Sequence, residues 1–75
     1  MIVYGASSCG KCHMLTSFLD AKGVKYDYVD VYKDPAAKQY LESIGAALLP
    51  VVVNGDTLIK GLDMPKIMEV VNGIN

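Results

Sequence analysis

Val51-Val52-Val53-Asn54-Gly55-Asp56-Thr57-Leu58-Ile59-Lys60 decides the fold of this chain. β-Branched residues flank an Asn-Gly pair, and Asn-Gly supplies the positive φ angles that a tight turn needs. The stretch therefore predicts a β-hairpin, with strands over 51–53 and 57–60 and a turn at Asn54-Gly55. Upstream of it, Asp34-Pro35 opens a helix, with Asp34 as cap and Pro35 in the first turn, where a missing N–H costs nothing. Ala37, Tyr40, Leu41 and Ile44 follow at i, i+3, i+4 and i+7, and Gly45 closes the helix. Downstream, Asp63 caps a third helix with Pro65 in its first turn. Met64, Ile67, Met68 and Val71 form its expected buried face, and Gly73 its expected end.

The chain before Asp34 completes the pattern. Residues 1–4 are a short apolar run, consistent with a buried strand. From Cys12, the spacing of Leu15, Phe18 and Leu19 predicts a helix that stops at Gly23. Residues 24–31 alternate Tyr and Val with charged residues, as a half-buried strand does. The order is β-α-β-α-β-β-α. The right-handed crossover rule sets the first two strands parallel with the first helix between them. The hairpin then adds two antiparallel strands, giving an α/β fold with a mixed sheet and helices on its faces. Tyr and Met residues in these stripes, Tyr4 and Tyr40 included, are expected in the core.

Composition narrows the function. Seventy-five residues are enough for one domain, 1–75, with a small core in which every apolar face must be used. Abundant Val, Leu, Ile, Met and Tyr argue for a folded globule. A net charge of −1, with seven scattered Lys and no Arg, leaves no electrostatic footprint for nucleic acid. No apolar run approaches the roughly 18 to 20 residues that span a bilayer. The start, MIVYGASSCGKC, lacks the charged-then-apolar layout of a signal peptide. We therefore expect a cytoplasmic protein with no membrane or nucleic-acid partner, in a compartment that keeps thiols reduced. A disulfide between residues three apart closes too small a loop to stabilise much. Cys9 and Cys12 thus read as reactive.

Cys9-Gly10-Lys11-Cys12 follows the first strand and opens the first helix. Thiols so spaced can meet across one turn in a strained, exchangeable disulfide. Backbone N–H groups and the helix dipole favour negative charge there and lower a thiol's pKa. Cys9, at the very end, is the expected nucleophile. Cys12, a turn further in, is the expected resolving thiol. Lys11 is a candidate helper for the thiolate, or a plain surface residue. Other chemistries compete for the pair. Cys9 to His13 spells C-x-x-C-H, the haem c attachment pattern, but that reading needs an oxidising export route. A structural zinc site needs four ligands, and Cys9, Cys12 and His13 supply three. The strand, C-x-x-C and helix, with Gly23-Val24 leading into a strand, also resemble small copper-chaperone domains, whose paired thiolates carry soft metal ions. Their second strand usually returns through a hairpin, whereas here Asp34-Pro35 starts a helix.

The downstream half separates these readings. Leu48-Leu49-Pro50-Val51-Val52-Val53-Asn54-Gly55-Asp56, then Lys60-Gly61-Leu62-Asp63, together with Val3-Tyr4 ahead of C-x-x-C, resemble the glutaredoxin family of the thioredoxin superfamily. The likeness is greatest to the redoxin branch that donates electrons to ribonucleotide reductase, and it covers nearly the whole chain. It implies a thioredoxin-like, glutaredoxin-type four-stranded mixed sheet flanked by three helices. It implies a thiol–disulfide oxidoreductase for protein disulfides, working in electron transport and cell redox homeostasis, with ribonucleotide reductase as candidate target. It implies a monomer with no bound cofactor beyond its own redox-active Cys9–Cys12 pair, recharged by thioredoxin reductase and NADPH or by glutathione.

The resemblance also implies site residues. Pro50 is expected to be cis, turning the Leu49 backbone towards the thiols, where it can pair with a substrate strand or with glutathione. Gly61, Leu62 and Asp63 match the segment beside the glutathione γ-glutamyl group. Two departures weigh against tight glutathione binding: Lys60 stands where the family usually has the first of paired glycines, and Ala6 where it often has Lys. Lys11 can supply a replacement charge from another direction.

Overall fold

The computed structural model describes residues 1–74. Its elements are β1 (Ile2–Gly5), α1 (Gly10–Ala21), β2 (Asp27–Asp30), α2 (Pro35–Ser43), β3 (Val51–Asn54), β4 (Thr57–Lys60) and α3 (Met64–Ile74), in the expected order. β1 lies parallel to β2, with Ile2 opposite Asp27 and Gly5 opposite Asp30. It lies antiparallel to β3, with Tyr4 opposite Val51. β3 and β4 form the hairpin, and the four-stranded sheet runs β2-β1-β3-β4.

Strand pleating sends alternate residues to opposite faces, and the helices cover both. Val3, Val52 and Ile59 pack with Leu15 and Leu19 of α1 and with Ile67 and Val71 of α3. On the other face, Val51 packs with Ala37 and Leu41 of α2 and with Val31. Each fully buried Leu, Ile or Val contributes roughly 1.5–3 kcal/mol relative to exposure, so this double layer is what holds so short a chain together.

Several expectations need correction. The hairpin turn is shifted by one residue: Asn54 pairs with Thr57 inside the ladder, leaving Gly55-Asp56 as the turn. Gly55 has φ +60, and among the described residues no non-glycine residue has positive φ. One positive φ at the first turn position is the II′ pattern, which needs glycine there and nothing special of Asn54. β2 spans four residues, shorter than 24–31, because β1 offers it only Ile2–Gly5 to pair with. Val24 and Val31 are buried all the same.

In α3, Met68 is 45% exposed, while Met64 and Val70 pack beside Ile67 and Val71. The helix therefore meets the sheet along the stripe through 64, 67, 70 and 71, which turns Met68 outward. Gly73 lies inside α3 instead of ending it. Tyr40 is not core. It is 39% exposed at the edge of α2, its ring 5.6 Å from that of the half-buried Tyr4. The helix starts fare better. The Asp34 carboxylate accepts the Ala37 N–H at 3.2 Å with Pro35 just inside, and both α1 and α2 stop before a glycine of φ +70, Gly23 and Gly45.

Candidate active site

The strand registers bring one end of the sheet into focus. β1 ends at Gly5 beside the end of β2, Asp30. Tyr4 faces Val51 at the start of β3, which in turn faces Lys60 at the end of β4. Residues 6–9 leave β1 at this end and turn into α1, with the Cys9 N–H donating to the Ala6 carbonyl at 3.1 Å. Cys9 has an extended backbone and is the N-cap of α1. Its Sγ accepts the Cys12 N–H at 3.2 Å, satisfying one of the donors that a helix start leaves free.

One turn gives the two thiols opposite surroundings. Both are unbonded to each other; Cys9 is partly exposed and Cys12 fully buried. The Cys12 thiol is pushed up to about 11, first by burial and then by the hydrogen bond with Cys9, after backbone groups at Ala6 and Cys12 have offset part of the rise. Desolvation disfavours a thiolate, so Cys12 stays protonated in this reduced state.

Two neighbours of Cys12 escape a sequence reading. Gly5 is buried, and a Cβ placed on it would lie 2.7 Å from Tyr28 Oη, 3.0 Å from Cys12 Sγ and 3.1 Å from Cys12 Cβ. Glycine is thus what lets α1 sit so close to the end of β1. Tyr28 reaches this spot from β2, and its hydroxyl is pushed up first by burial, then by Cys12, Asp30 and Cys9. The only earlier signal for Tyr28 was its place in an alternating strand. His13 is exposed, and its ring Nε2 donates to the Ser7 carbonyl at 2.7 Å, tying the loop before Cys9 to the helix after it. Among the described residues, no group of three or more His, Cys, Asp or Glu gathers as a metal site.

The expected binding residues fall into one cluster and some outliers. The Leu49–Pro50 bond is cis. Pro50 is buried at the start of β3, and its carbonyl accepts the Gly61 N–H at 2.8 Å. Gly61 is buried with φ +83, and Leu48 beside it is 66% exposed. Leu49 and Pro50 therefore join Gly61 at the thiol end of the sheet. Leu49 packs on the α2 side, whereas Leu62 packs with the core shared by α1 and α3. Asp63 caps α3: its carboxylate lies 3.4 Å from the Lys66 N–H and 3.8 Å from Lys66 Nζ. Lys11 is exposed on the first turn of α1. Lys60 Nζ donates to the Ile44 carbonyl at 2.8 Å and so serves the end of α2.

A four-stranded mixed sheet, a C-x-x-C at the start of α1 and a cis-proline opening β3 define a protein of the thioredoxin-like class. The glutaredoxin family model matches residues 1–59. Gene 56 protein of Mycobacterium phage D29 is 38% identical over 52 residues, 68% of this chain and 58% of that protein. The glutaredoxin-like protein NrdH of Escherichia coli K12 is 30% identical over 54 residues, 72% of this chain and 67% of that one. Among solved structures, the E. coli NrdH-redoxin has a TM-score of 0.83 at 24% identity, covering 99% of this chain and 92% of its own. A glutaredoxin from Archaeoglobus fulgidus has a TM-score of 0.79 at 29% identity, with coverage of 96% and 85%. The chain belongs to the glutaredoxin family. The matched stretch spans 58% of the length of the phage relative.

Proposed function

We propose that residues 1–75 act as one dithiol–disulfide oxidoreductase domain, carrying electrons to protein disulfides through Cys9 and Cys12. The observation that carries this reading is the asymmetry of the pair: an accessible sulfur at a helix start and a buried thiol one turn behind it. Cys9 thiolate attacks a target disulfide, forming a Cys9–target bond and releasing the first target thiolate. Cys12, once deprotonated, attacks Cys9 Sγ. The Cys9–Cys12 bond forms, the second target thiolate leaves, and two electrons have passed to the target. Extended target backbone docks beside Leu49-Pro50, with Gly61, Leu62, Asp63 and Lys11 around it.

A flavoenzyme of the thioredoxin reductase type, fed by NADPH, is the favoured donor, and glutathione the second. Ala6 is buried and offers no charge for a glutathione carboxylate, and Lys60 is engaged with Ile44. The E. coli NrdH-redoxin is described by a thioredoxin-like activity profile, which agrees with that choice. Ribonucleotide reductase is the proposed target, through the NrdH likeness. The described helices are too short or too polar to cross a membrane, and we place the protein in the cytoplasm as a monomer.

Insulin-disulfide reduction tests the mechanism. Cys9→Ser abolishes turnover, and Cys12→Ser accumulates mixed disulfides on Cys9. Full turnover by Cys9→Ser overturns the reading, as does stoichiometric Cu(I) binding without any disulfide reduction. A coupled assay settles the donor: NADPH consumption with thioredoxin reductase should exceed that with glutathione and its reductase.

A further inference from the structure

A buried thiol that has to attack needs a route for its proton. Cys12 has no exposed surface, so water does not reach its Sγ directly. Tyr28 Oη and Cys12 Sγ flank the backbone hollow at Gly5, 2.7 and 3.0 Å from where a Cβ would stand, with no hydrogen bond between them in the resting state. Tyr28 lies on β2, an edge strand, and is 41% exposed. Its side chain thus runs from solvent to the hollow beside the one thiol that solvent does not reach. We infer that Tyr28 is the proton-transfer residue of the resolving step, its hydroxyl taking the Cys12 proton while passing its own to water. This inference rests on the dithiol mechanism proposed above.

The step balances without any added reagent. The Cys12 S–H bond breaks and its proton goes to Tyr28 Oη, which releases its original proton to water. The Cys12 electron pair forms the bond to Cys9 Sγ, the bond from Cys9 to the target sulfur breaks, and the target leaves as a thiolate. Tyr28 ends as it began, neutral. Its surroundings suit that role: burial, then Cys12, Asp30 and Cys9, all hold the hydroxyl in its protonated form. Its titratable neighbours are Cys9 at the N-cap of α1, Cys12 within α1, Asp30 on its own strand, and Tyr26 just ahead of that strand.

Stopped-flow reaction of the reduced protein with the aromatic disulfide DTNB separates the two steps, because each releases one coloured thiolate. The first release reports attack by Cys9, the second resolution by Cys12. Tyr28→Phe keeps the ring and removes only the hydroxyl. It should leave the first phase unchanged and slow the second by about 10- to 100-fold, at or just below the usual range for a positioned acid–base group. The wild-type second phase should also slow in D2O, and that sensitivity should shrink in Tyr28→Phe. A second phase equal to wild type, equal slowing of both phases, or a wild-type second phase indifferent to D2O overturns the inference. Release of only one thiolate by the wild-type protein overturns the dithiol mechanism instead, so the two failures are distinct. The D2O measurement needs no variant and stands even if Tyr28→Phe folds poorly.

Discussion

Cys9 and Cys12 are chemically identical and three positions apart, yet the helix start separates their fates. Cys9 Sγ faces outward under the Cys12 N–H, while Cys12 Sγ is sealed between α1 and the end of β1. The pair itself was legible from spacing, because a C-x-x-C at the first turn of a helix fixes which thiol lies deeper. Gly5 and Tyr28 were not legible, because their meeting depends on β1 lying in parallel register with a strand more than twenty residues away. Gly5→Ala tests how tightly this corner is built. Its methyl can push aside Tyr28 Oη at 2.7 Å, the far end of a long side chain, but not Cys12 Cβ at 3.1 Å on α1. Overpacking of this kind costs about 1–3 kcal/mol, so Gly5→Ala should lower the urea midpoint accordingly. An unchanged midpoint would show that α1 can retreat from β1 at little cost.

At the scale of elements, the hairpin and the helix starts were readable and the helix ends less so. Caps are local: Asp34-Pro35 needs only its own neighbours, and the structure uses it as the sequence implies. Register is not local. The ladder absorbs Asn54 opposite Thr57 and hands the turn to Gly55-Asp56, a choice set by pairing across two strands. Two substitutions separate these descriptions. Gly55→Ala forces a side chain into φ +60 and should cost about 1–2 kcal/mol. Asn54→Thr, at an ordinary strand position, should cost less than about 0.5 kcal/mol. Equal losses in chemical denaturation would return Asn54 to the turn. Gly73 was misread because a glycine near a helix end resembles a stop signal, yet α3 runs through it. A Cβ there meets nothing within 4 Å. Gly73→Ala should therefore raise stability, by up to about 1 kcal/mol. A lower thermal midpoint would place the end of α3 before Gly73.

Across the whole molecule, the sheet order puts the ends of β1, β2 and β4 and the start of β3 side by side, so the thiols, the cis-proline and Gly61 share one edge. That arrangement buries the resolving thiol in the same layer that holds the fold together, which couples stability to its proton. Cys12 is raised from an ordinary 9.0 to about 11. Tyr4, Tyr26 and Tyr28 are also raised, each chiefly by burial. All four are neutral when protonated, so the folded state holds these protons to higher pH than the unfolded chain does. Their stabilising contribution is complete below the unfolded values and is lost as pH rises through the folded ones. The reduced protein should therefore weaken between about pH 9 and about pH 11, in the window that Cys12 sets. Cys12→Ser keeps the three tyrosines and removes the thiol, so its urea midpoint should fall less steeply over that window. The oxidised wild-type protein, with no Cys12 proton to lose, should follow the variant. If reduced wild type and Cys12→Ser show the same pH slope, the buried thiol carries no such linkage, and Cys12 ionises in the folded protein as readily as in the unfolded chain.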